Sequence, residues 1–150
     1  MDYVEVHVKL RVIVIIILYG IFLITISSCK SRPLVDDLLG ERVEALAWLS
    51  SNSNPYAFAG NRFESTETAL AFVQKLYDHG ALEIYVTNVY DEAWRIEAEG
   101  GPYADTLIIL LPDEEEARRD LFAIANDEAR QEGFSPEADT GQEELLLWWD

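Results

Sequence analysis

Five acids crowd one short stretch of the chain: Asp91, Glu92, Glu97, Glu99 and Asp105, with Tyr90, Trp94 and Tyr103 interleaved. Carboxylates at this density suggest two chemistries. Clustered oxygen ligands hold Ca²⁺, but the spacing here does not follow the Asp-x-Asp-x-Asp-Gly pattern of the EF-hand loop. Two carboxyl groups flanking a sugar linkage serve as acid and base in glycoside cleavage, although a chain this acidic offers many such pairs. The same residues also admit a reading without chemistry, as a solvated loop pinned to the core by its aromatics. Asp91, Glu92, Trp94, Tyr103 and Asp105 are the candidate binding residues. Trp94 and Tyr103 are the best contacts among them, because large rigid aromatics anchor interfaces at low entropic cost.

Other catalytic signatures are missing from the sequence. It contains no Gly-x-Ser-x-Gly elbow, no Gly-x-x-x-x-Gly-Lys phosphate loop and no His-Glu-x-x-His metal pair. No catalytic residue, metal ligand or cofactor is therefore expected. Beyond the N-terminal apolar run, His79 is the only imidazole available to a general base. It falls in the last turn of an expected helix, beside Gly80, where a donor or cation satisfies free carbonyls, so its expected role is structural.

The remaining reactive side chain is Cys29, the sole cysteine, which excludes an intrachain disulfide. It closes an uncharged run over 12–29 whose apolar part, 12–26, is shorter than the ~20 residues a membrane-crossing helix usually needs. Lys9 and Arg11 precede the run and Ser27-Ser28 end it, the order of a cleaved export signal. The ending Ile26-Ser27-Ser28-Cys29 resembles the lipobox of bacterial lipoprotein precursors: an aliphatic residue, two small ones, then the cysteine that is acylated before cleavage in front of it. The resemblance covers residues 1–29 only. It implies a lipid anchor on Cys29, a membrane partner and a domain outside the cytoplasm, at the cell membrane or the outer membrane. An uncleaved single-pass anchor is the alternative.

Charge divides at the same point. Residues 1–28 hold two acids and two bases, so the rest of the chain keeps the whole net charge of −17. Such a surface repels phosphates, which argues against a nucleic-acid partner and favours a basic protein.

The elements that must position these residues follow from periodicity. After a tether over 29–33, residues 34–150 form a single acidic domain. Val35, Leu38, Leu39, Val43, Leu46 and Leu49 share one arc of a helix expected over 34–50. A short strand is expected over 56–63. Ser65 then caps a helix whose stripe is Ala69, Phe72, Val73, Leu76 and Tyr77, stopped at Gly80. Strands are expected over 82–87, 105–111 and 144–149, with the last two separated by a long helix. That helix opens on an Asp113 and Glu116 capping box and ends at Gly133.

From residue 56 the order is β-α-β-β-α-β. It resembles the ferredoxin-like split arrangement, an antiparallel α+β sheet with both helices on one face. Ile108, Leu110, Leu146 and Trp148 make the second face apolar as well, so a cover is expected there. The 34–50 helix is expected to supply it, with a second copy, through a homodimer, as the competing answer. The function expected from these features is a membrane-tethered, non-catalytic acidic binding domain of the bacterial cell envelope. A carboxylate-based or calcium-binding hydrolase is the alternative.

Overall fold

The computed structural model describes residues 40–149; the apolar run, Cys29 and the first part of the expected 34–50 helix lie outside them. The described chain is α+β, with a four-stranded antiparallel sheet and interspersed helices. Its elements are β1 (Val43–Glu44), α1 (Ala45–Ser51), α2 (Gly60–Phe63), α3 (Thr66–Asp78), β2 (Glu83–Thr87), α4 (Ala93–Glu99), β3 (Thr106–Leu110), α5 (Glu115–Gln131) and β4 (Glu144–Trp148).

The two long helices form where periodicity and capping place them. Ser65 Oγ accepts the Thr68 N–H at 3.1 Å, starting α3, which buries Ala69, Val73 and Leu76. Gly80 leaves the helix at φ +93°, and a Cβ there would sit 2.8 Å from Ala117 Cβ, so this turn admits only glycine. At α5 the cap differs from expectation. Glu114, not Asp113, occupies the N-cap position and its carboxylate accepts the N–H groups of Glu116 and Ala117, at 3.0 Å and 2.5 Å. A run of acids offers several caps, and the one at the end of the extended segment takes the role.

The sheet order is β1-β2-β3-β4, with every neighbour antiparallel. This corrects the ferredoxin-like expectation, in which a strand over 56–63 would enter the sheet. That segment makes only an isolated bridge, Phe58 to Ala104, and then turns at Ala59 (φ 38°) into α2. Gly60 and Asn61 do not sustain a ladder, and β4 takes the place beside β3. The far edge is filled by Val43–Glu44, which the helix expected over 34–50 had included; the described helix there is only the seven residues of α1.

One face of the sheet carries Ile84, Val86, Leu107, Ile109, Leu145 and Leu147, and α1, α3 and α5 all contribute to the core against it. The expectation that the 34–50 helix covers the second face is therefore corrected for its described part. Ala45 and Leu49 of α1 are buried in the main core. On the second face Ile108 is only 2% exposed, while Leu146 and Trp148 remain 43% and 42% exposed. Arg42, just before β1, reaches Glu144 of β4 with two hydrogen bonds of 2.8 and 3.0 Å, joining the sheet's outer strands. Glu144 and Tyr85 share that second face, so the pair adds polar groups to it.

The core closes around Trp149. Its ring lies 5.4 to 6.0 Å from Phe58, Phe63 and Phe72, edge-on to each, the arrangement ring quadrupoles favour. Glu128, buried beside it, accepts the Trp149 indole N–H at 3.2 Å and two Arg62 N–H groups at 2.8 Å. A buried carboxylate persists only when paired in this way.

Candidate functional site

The stretch between β2 and β3 was read as an irregular loop but contains α4, whose one basic residue organises the candidate binding residues. Arg95 pairs with Glu92 at 3.2 Å and Glu99 at 3.1 Å, three residues before it and four after. Its guanidinium also lies over three rings: Trp94 at 4.7 Å, Tyr90 at 5.4 Å and Tyr103 at 5.7 Å. Tyr90 and Tyr103 are held together by a backbone bridge of 2.8 and 3.0 Å. The aromatic cluster thus already encloses a cation of its own chain. Glu92, Trp94 and Tyr103 are brought together around Arg95; Asp91 is exposed at the start of this segment.

Asp105 lies deeper. Burial pushes its carboxyl above the usual range, against hydrogen bonds from the Thr106, Asn88 and Tyr90 side chains that favour the charged form. The Tyr103 phenol is raised by burial and then by the Asp105 charge. Asn88 holds φ 53°, a conformation in which its amide donates to the Tyr90 hydroxyl at 2.9 Å. Among the described residues no three of His, Cys, Asp and Glu gather closely enough to hold a metal ion. His79 caps the end of α3 and lies 3.6 Å from Asp120.

Sequence reasoning missed Arg95 and α4. The signal was present: Glu92, Arg95 and Glu99 at helical spacing, closed by Gly100 at φ 86°. It was hidden because α4 buries no residue and so shows no apolar stripe.

The end of α4 is fastened to the loop 52–54. Asn54, only 2% exposed, donates to Glu99 at 3.2 Å and Gly101 O at 3.4 Å, and Asn52 donates to Pro102 O at 3.1 Å. The polar loop 52–54 is thus the scaffold of the candidate site. The chain matches no protein-family model, no curated protein and no solved structure.

A concave feature lies beside the last strand. A groove of about 270 Å³ runs between β4 and the C-terminal half of α5, walled by Phe134, Ser135 and Glu137. Among the described residues no helix is long and apolar enough to cross a membrane.

Proposed function

We propose that the chain is a lipid-anchored, non-catalytic binding module of the bacterial cell envelope, tethered through Cys29, which captures a basic protein partner. The observation that carries this reading is the segregation of charge. The whole net charge of −17 belongs to residues 29–150, beyond a neutral leader that ends in a lipobox-like sequence. Electrostatic complementarity of that size accelerates encounter and makes it salt-sensitive. The hydrolase alternative loses support because Glu92 and Glu99 are committed to Arg95, which leaves fewer acids in that stretch for chemistry.

Two measurements test the proposal. Mass analysis of the mature N-terminus is expected to find an acylated Cys29, absent in Cys29→Ala; an intact Met1, or the same modification state in both proteins, refutes the anchor. Pull-down from membrane extract is expected to retain a basic protein at low salt and release it at high salt. Retention indifferent to salt refutes the electrostatic capture.

A further inference from the structure

Among the described residues, the last strand has one edge with no neighbouring strand. In the β3–β4 ladder the Leu111 N–H donates to Glu143 O at 2.9 Å and the Trp149 N–H to Asp105 O at 3.1 Å. These are hydrogen-bonded pairs, and the alternation of an antiparallel ladder makes Leu145 and Leu147 face β3 as well. The backbone groups of Leu146 and Trp148 therefore point away from the sheet. Among the described residues none hydrogen-bonds to them. The opposite edge, β1, is two residues long, whereas β4 has five residues, none of them proline or lysine, with Glu144 at its start as its one charge.

This edge opens onto the groove, whose shape decides what fits. Its outer wall is fixed. Gly133 takes φ 83°, the Phe134 N–H bonds Ala129 O at 2.7 Å, and Asn126 exchanges two hydrogen bonds with the Glu137 backbone, at 2.7 and 2.9 Å. The Phe134 ring lies 5.7 Å from that of Trp148. A folded sheet edge from a second copy would meet this wall, and two copies of the −17 chain repel each other. A single extended strand brings no attached sheet and needs only the space between wall and edge. Ala125, Ala129, Leu145 and Leu147 line an apolar floor, and Glu137 stands on the rim.

We infer that the groove between β4 and α5 binds an extended segment of a protein partner by strand addition. The segment is apolar at alternate positions and basic at its flanks. Backbone hydrogen bonds to Leu146 and Trp148 supply register, the floor takes the alternate side chains, and the acidic surroundings select the flanks. The inference rests on the proposed capture of a basic partner and names its site.

The probe is the peptide Lys-Lys-Val-Thr-Val-Thr-Val-Lys-Lys, titrated into ¹⁵N-labelled residues 30–150 and into the full chain in detergent. Exchange of the Leu146 and Trp148 amides is expected to slow by more than about tenfold on saturation, while the Leu145 and Leu147 amides, already bonded to β3, change little. Replacing the central Val with Pro is expected to weaken binding at least about tenfold. Ala129→Arg, which fills the floor, is expected to abolish binding with its melting transition retained. Leu146→Pro, which removes an outward N–H without touching the β3 ladder, keeps the test decisive if Ala129→Arg does not fold.

No protection of the two amides at about 1 mM peptide overturns the inference. Protection without peptide, accompanied by a dimer in sedimentation, also overturns it and assigns the edge to a second copy. If both variants still retain a salt-released basic protein from membrane extract, capture stands and the groove does not. If the peptide binds equally well with Glu flanks, the groove stands and electrostatic capture does not.

Discussion

At the scale of single residues, the chain invests its polar side chains in holding loops. Gly101 is the clearest case. A Cβ there would lie 2.5 Å from Asn52 Oδ1 and 2.8 Å from the Asn54 nitrogen, so the loop 52–54 and the end of α4 can meet only over a glycine. Gly101→Ala is expected to cost about 1–3 kcal/mol in chemical denaturation, the usual cost of forced overpacking; an unchanged midpoint contradicts the contact. Asp139 provides a second test, through pH. Hydrogen bonds from Arg118, at 2.6 and 2.9 Å, and from the Gly141 N–H hold its carboxyl down to about 2, from an ordinary 3.8. An acid with a depressed folded value stabilises the fold above its unfolded value and loses that contribution as pH falls through the folded one. Melting temperature should therefore drop between pH 4 and pH 2 partly through this group. Asp139→Asn should remove that part of the slope and lower the melting temperature at neutral pH by no more than a few degrees, because the pair is solvated. An unaltered acid limb would contradict the assignment.

At the scale of elements, Tyr77 joins three of them. Its hydroxyl, on α3, donates to Glu44 of β1 at 2.8 Å and accepts the Ile84 N–H of β2 at 3.0 Å. Burial and then Glu44 push the phenol up to about 12, so it stays a donor throughout the neutral range. Tyr77→Phe leaves the Ile84 N–H without its partner and is expected to cost about 1–2 kcal/mol, read by urea denaturation. A loss under a few tenths would mean that water replaces the hydroxyl. Elements were legible in proportion to how local their signals are. Ile84 and Val86 mark β2 by alternation, and Ser65 marks the start of α3 by its cap. The strand expected over 56–63 failed because Ala57, Phe58 and Ala59 are buried by packing rather than by a ladder. In the candidate site, Trp94 and Tyr103 were legible as large aromatics, but Arg95, to which both turn a face, was not.

At the scale of the whole molecule, a charge of −17 on one chain opposes compaction. Raising NaCl from about 20 to about 500 mM should screen that repulsion and raise the melting temperature, whereas a protein held mainly by surface ion pairs would lose stability. A falling melting temperature would show that surface pairs such as Arg119–Glu116 and Arg95–Glu92 outweigh the repulsion. The sequence by itself determined the charge, its confinement beyond residue 28, the two long helices and three of the four strands, since periodicity, caps and composition act over a few residues. Only the tertiary structure decided which strand lies beside β3, that Val43–Glu44 forms an edge, that Arg95 fills the aromatic cluster and that, among the described residues, β4 has no second strand neighbour beside its groove. Those outcomes depend on competition between segments far apart in the chain for the same neighbour, and no local pattern records who wins.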